Sequence, residues 1–86
     1  MGETVTGIEV RYFAAAADAA GVKKETVALA PSVDLGTLKT ALIDRHGAEM
    51  ARVLSVAAFL IDSELTRDLG RAAGPTVDVL PPFAGG

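Results

Sequence analysis

Cysteine and tryptophan are absent from this 86-residue chain, which has a single histidine and a single tyrosine. Without cysteine there is no disulfide framework, no thiolate metal site and no thiol nucleophile. One histidine is too few for a histidine-cluster zinc site. Positive charge is also scarce. Eight Lys and Arg face eleven Asp and Glu, for a net charge of −3. That balance excludes a nucleic-acid binder working by charge, because phosphate binding needs clustered cations. No apolar run approaches the roughly 20 residues that cross a bilayer. No basic segment followed by an apolar stretch reads as a signal peptide. The expected location is therefore cytoplasmic, with no membrane partner.

What the chain does have is apolar content. Half its residues are hydrophobic and 22% are charged, which is the balance of a globular domain and not of a disordered segment. A domain of this size buries only about 60–65% of its unfolded surface, so its margin of stability is thin. A compact two-layer fold with one core is expected.

Residues 1–6 carry no periodicity and read as a flexible leader. Residues 8–13 alternate, with Ile8, Val10 and Tyr12 on one face and Glu9, Arg11 and Phe13 on the other, as in a half-buried strand. Ala14 to Ala20 favours helix, and Gly21 is placed to end it. Lys23 and Lys24 read as a solvated basic pair in a turn. Glu25 to Leu29 alternates again, with Val27 and Leu29 inward, and is expected to pair with the first strand. Pro31 ends it. Asp34 is a good N-cap. Leu35, Leu38, Ala41 and Leu42 form the apolar stripe of a helix running to about His46, and Gly47 closes it.

Ala48 to Leu54 suits a second short helix. Val56 to Ile61 is a nearly continuous apolar run that suits a central strand covered on both faces. Asp62-Ser63 is a turn, Glu64 to Thr66 a short edge strand, and Asp68 to Pro75 a loop. Thr76 to Leu80 is the last strand, with Val77 and Val79 inward. This order predicts an α+β domain over residues 7–80. It is a β-grasp, or ubiquitin-like, mixed sheet with one main helix packed on one face and a flexible tail over 81–86.

No catalytic constellation is visible. His46 falls at a helix end, where a solvated histidine that favours the dipole is ordinary. The acidic residues show no metal-ligand spacing, and no glycine-rich loop cradles phosphate. The unusual feature is the tail, Pro81-Pro82-Phe83-Ala84-Gly85-Gly86. The prolines hold the backbone extended. The two glycines lack side chains and can enter a passage too narrow for a Cβ. The last group is an α-carboxylate.

Val10-Arg11-Tyr12-Phe13-Ala14, the helix start at Asp34 and above all Val79-Leu80-Pro81-Pro82-Phe83-Ala84-Gly85-Gly86 resemble the MoaD family. These are small subunits of molybdopterin synthase, related to ThiS and ubiquitin. The resemblance spans about residues 7–86 and departs from the usual pattern at Asp62 and at Gly74-Pro75. It implies that Gly86 is the reacting residue, adenylated and then converted to a thiocarboxylate, with Gly85 as its slim neighbour. It implies no cofactor bound by this chain, ATP being used by the activating enzyme. The implied partners are a molybdopterin synthase large subunit of the MoaE type, in a heterotetramer of two small and two large subunits, an E1-like adenylating enzyme of the MoeB type, and a sulfur donor. The chain itself is then a co-substrate, with no catalytic residues of its own beyond the terminus. Related carriers serve cysteine or thiamin synthesis, and others act as ubiquitin-like modifiers or plain interaction domains.

Strand parity independently predicts a partner surface. Phe13 falls on the Glu9/Arg11 side of the first strand, and Leu80 on the Thr76/Asp78 side of the last. Two large apolar residues at polar-face positions suggest an exposed patch. Leu65 is expected to join it, and Pro81, Pro82 and Phe83 to extend it along the tail.

Overall fold

A computed structural model describes residues 7–82. The predicted leader over 1–6 and the tail residues Phe83, Gly85 and Gly86 lie outside the described residues. Strand β1 (Ile8–Tyr12) keeps the alternation seen in its sequence: Ile8, Val10 and Tyr12 are buried, and Arg11 is exposed. It ends one residue earlier than predicted. Beyond it, Phe13 to Ala16 form a turn closed by the Ala16 N–H donating to the Phe13 carbonyl at 3.0 Å. Ala14 holds φ 53 in that turn.

The alanine run then forms α1 (Ala15–Ala20), and Gly21 ends it at φ 76 with its N–H on the Ala17 carbonyl. A left-handed residue of this kind is what glycine supplies without a steric cost. Strand β2 (Lys24–Val27) pairs antiparallel with β1, with Val10 opposite Glu25 and Arg11 opposite Lys24. It stops two residues before the predicted end. The Leu29 N–H turns back to the Val27 carbonyl, so Leu29 packs at the core edge from a turn and not from the ladder.

Helix α2 (Leu35–His46) begins where the sequence places it. The Asp34 side chain accepts the Thr37 N–H at 2.8 Å, and this bond is the main cause that lowers the Asp34 carboxyl pKa below its ordinary value. Leu35, Leu38 and Leu42 are fully buried along one stripe. Gly47 ends α2 and leads directly into α3 (Ala48–Leu54), which buries Met50 and Leu54. The loop before the last strand is laid along the start of α2. Its Leu69 and Arg71 carbonyls accept the Gly36 and Leu35 N–H groups at 2.9 Å. Helix starts leave such donors unpaired, and here the loop satisfies two of them. A Cβ at Gly36 would stand 3.4 Å from the Leu69 carbonyl oxygen, an ordinary contact distance, so the approach of the loop does not itself require glycine.

Strands β3 (Ala58–Ile61), β4 (Glu64–Thr66) and β5 (Thr76–Leu80) complete a five-stranded sheet in the order β2-β1-β5-β3-β4. β5 runs parallel to β1 and antiparallel to β3. Asp62 and Ser63, at φ 52 and 66, make the tight turn between β3 and β4; two left-handed residues match the twist of a hairpin. The core lies on one face of the sheet, where Ile8, Val10, Phe59, Val77 and Val79 meet the three buried leucines of α2.

Two expectations about β3 fail. The strand begins at Ala58 and leaves Val56 exposed. The strand at the centre of the sheet is β5, and Leu60 of β3 lies on the uncovered face, only partly buried. The apolar run from Val56 is continuous because it serves a helix end, a strand and an outer patch in turn.

Candidate functional site: an uncovered sheet face at the root of the tail

The pairing registers define the face turned away from the helices. One row crosses all five strands: Lys24, Arg11, Asp78, Leu60 and Leu65. A neighbouring row pairs Ala58 with Leu80. Phe13 follows β1 on the same side and is 42% exposed, while Leu65 is 61% exposed. Leu80 is half-buried. The predicted patch therefore sits on one face, with Leu60 added to it. Leu60 has a signal in the sequence, its alternation between Phe59 and Ile61, which the doubly covered assignment hid.

The tail prolines divide. Pro82 is exposed, but Pro81 is buried, so Pro81 is not available as a partner contact. Val77 and Val79 face the core, and Pro81 continues their parity. The chain thus remains anchored to the body through residue 81. Phe83, Gly85 and Gly86 lie beyond the described residues.

At the middle of the face, Asp78 is buried to 6% exposure. Arg11 covers it in a two-point bond, Nε to Oδ1 at 2.6 Å and Nη2 to Oδ2 at 3.0 Å. Planar pairing of this type fixes orientation as well as charge. Its hydrogen bond to Asp78, then the carboxylate's charge, raise the Arg11 pKa above its already high ordinary value. The pair separates the cationic side of the face, at Lys24, from the apolar side, at Leu60 and Leu65.

A second polar cluster holds the covered side of the sheet. Glu25 of β2 accepts hydrogen bonds from the Tyr12 hydroxyl and from His46 Nε2 at 2.6 Å, and forms an ion pair with Arg45, whose Nε stands 2.9 Å from a carboxylate oxygen. His46 meets the Tyr12 ring edge-on at 5.9 Å between ring centres. The expectation of a solvated His46 is thus corrected. The histidine is mostly buried, because the end of α2 lands on the edge strand, where Glu25 supplies a carboxylate. Burial is the largest influence on Glu25 and acts to raise its pKa. The bonds from Tyr12 and His46, with the charges of His46 and Arg45, outweigh it, and the net shift is downward. Burial first, then the bond to Glu25, raise the Tyr12 phenol far above its ordinary value.

Among the described residues, no group of three His, Asp or Glu side chains is arranged to hold a metal ion. No described helix is long and apolar enough to cross a membrane.

No family model matches the sequence, and no curated protein matches it. Solved structures do. SAMP1 from Haloferax volcanii superposes with a TM-score of 0.76 at 28% identity, over 93% of this chain and 99% of that one. A structure described as Haloferax volcanii small archaeal modifier protein 1 gives a TM-score of 0.69 at 24% identity, over 91% of this chain and 99% of that one. A Pyrococcus furiosus protein, provisionally described as molybdopterin converting factor subunit 1, gives a TM-score of 0.71 at 19% identity, over 91% of this chain and 99% of that one. The Haloferax volcanii HVO 2177 protein gives 0.74 at 20% identity, over 100% and 92%. The fold is the ubiquitin-like β-grasp. That architecture accounts for the order of the strands and for the position of β5, which carries the chain from the centre of the sheet out to the tail.

Proposed function

We propose that this chain is a ubiquitin-like carrier whose Gly86 carboxylate is the working group, and that its cargo is sulfur for molybdopterin formation. A carboxylate oxygen of Gly86 attacks the α-phosphorus of ATP on an activating enzyme, and pyrophosphate leaves. Hydrosulfide released by the sulfur donor then attacks the carbonyl carbon, AMP leaves, and a thiocarboxylate results. The chain docks on the large subunit of the synthase; its thiocarboxylate sulfur bonds to a carbon of a cyclic pyranopterin monophosphate as an oxygen substituent leaves, and water then cleaves the thioester, returning the Gly86 carboxylate and leaving a thiol on the pterin.

The observation that carries this reading is the placing of an apolar face, Phe13, Leu60, Leu65 and Leu80, at the end of the sheet from which β5 leads into Pro81-Pro82 and the Gly-Gly. A body that docks and a slim tail that reaches are the two parts a carrier needs. Two glycines beside the carboxylate suit passage into a narrow active site. The cytoplasm, where ATP is plentiful, is the compartment this chemistry requires.

The likeness to a small archaeal modifier at 28% identity supports a second reading. There the same acyl adenylate is taken by a lysine amine, AMP leaves, and the product is an isopeptide. Both readings require activation at Gly86. ATP–pyrophosphate exchange with an E1-like adenylating enzyme tests that step. Exchange should depend on this chain and vanish on deletion of Gly86; exchange that survives the deletion refutes both.

A further inference from the structure

One side of the uncovered face is not a flat patch. An open groove of about 580 Å³ lies where β1 ends, α1 begins and β2 starts. Its apolar part is made by Phe13, Ala14 and Ala17, and its rim by Arg11, Lys23 and Lys24. Arg11 and Lys24 stand directly opposite one another across β1 and β2. Like charges in that position repel and destabilise a sheet. Two carboxylates relieve the repulsion, Asp78 beneath Arg11 and Glu9 at 3.7 Å from Lys24. Asp18 of α1 shares an adjoining hollow with Lys23 but forms no ion pair with it, so among the described residues Lys23 is the one cation of the rim without a carboxylate at ion-pair distance.

The backbone of the groove is strained. Ala14 holds φ 53 and ψ −128, a region that costs a residue with a Cβ on the order of 1–3 kcal/mol. Glycine would adopt it freely. The turn at Ala14 leads the chain from β1 into α1 and leaves Phe13 exposed at the groove. Local strain combined with an apolar floor and a cationic rim is the character of a receiving surface.

We propose that this groove receives an acidic segment of the protein on which the chain docks, with one apolar side chain seated on Phe13, Ala14 and Ala17 and carboxylates on either side meeting Lys23 and Lys24. The inference rests on the carrier reading for the presence of such a partner. The occupant follows from charge complementarity. An acidic segment gains attraction to the rim and is steered by it. A basic segment would meet like charge, and an uncharged one would leave the rim without partners. Because Phe13 belongs both to the groove and to the apolar face, the two form one continuous surface.

The probe is a short capped peptide with one leucine between paired aspartates, titrated into the full chain labelled with ¹⁵N. Amide shifts confined to Phe13–Ala17 and Lys23–Lys24, and suppressed by added salt, support the groove. Shifts no larger than those caused by a lysine-flanked control peptide overturn it. A second arm uses the adenylating enzyme. Lys23→Glu with Lys24→Glu should raise the KM for this chain by about 10-fold or more, since like-charge contacts at an interface cost several kcal/mol. Its kcat should stay unchanged, because the chemical step takes place on the Gly86 carboxylate and draws on neither amine. Lys23→Arg with Lys24→Arg should restore the KM, and a thermal melt confirms that each variant folds. An unchanged KM in the folded Glu variant also overturns the proposal. If the wild-type chain is not adenylated at all, the carrier reading fails, and the peptide titration alone decides the groove.

Discussion

Replacing Glu25 by Gln removes one charge from the covered side of the sheet and leaves the side chain's shape nearly unchanged. The carboxylate accepts from Tyr12 and His46 and is ion-paired with Arg45, and its side chain is 13% exposed. A Gln amide presents one acceptor oxygen and turns an NH₂ group toward groups that are themselves donors. The loss of charge-assisted bonding should cost about 1.5–3 kcal/mol. For a domain of this size each kcal/mol moves the melting temperature by about 4–8 °C, so the drop is roughly 6–24 °C. Thermal melts followed by circular dichroism at neutral pH measure it. The pH dependence gives a second reading of the same bond. The Glu25 pKa is lowered in the folded chain. Between the folded and unfolded values the unfolded state binds the extra proton, so stability rises with pH there. The contribution is therefore present above the unfolded value and is lost as pH falls through the folded one. Glu25→Gln should flatten that acid limb. A melting temperature within about 2 °C of wild type, with an unchanged acid limb, would refute the view that Glu25 ties α2 to the edge strand.

Leu38→Ala empties a fully buried position on α2 and should cost about 2–5 kcal/mol. In a domain with so small a core this brings much of the population to the unfolded state, as a urea titration would show. Leu65→Asp changes a residue that is 61% exposed. It should alter stability by no more than about 0.5 kcal/mol while weakening association with the activating enzyme, measured by calorimetry; association at wild-type strength would remove the apolar face from the docking surface. Gly85→Val sets a branched side chain one residue from the carboxylate proposed to react. Misplacement there should reduce the adenylation rate on the order of 100-fold with little change in melting.

The core was legible because its signals are local. Alternation in residues 8–12 and 76–80 and the stripe of Leu35, Leu38 and Leu42 each specify one buried face. The same parity placed Phe13 and Leu80 on the uncovered side, and the face they mark exists. What stayed hidden depends on residues distant in sequence. Arg11 and Asp78 are 67 residues apart, and parity alone made Asp78 an ordinary surface acid. His46 looked solvated because its partner Glu25 lies 21 residues away on another element. Leu60 was obscured by apolar neighbours, and Pro81 because a proline after a strand does not reveal whether the chain has left the core.

Sulfur carriage on Gly86 is tested most directly by the intact mass of the chain after incubation with an adenylating enzyme, ATP and a sulfur donor. Carriage requires the exchange of one oxygen for one sulfur, located by fragmentation to the terminal glycine and absent when ATP is withheld. A mass that stays unchanged with an enzyme shown to adenylate the chain, or a chain found joined instead to lysine side chains, would contradict it.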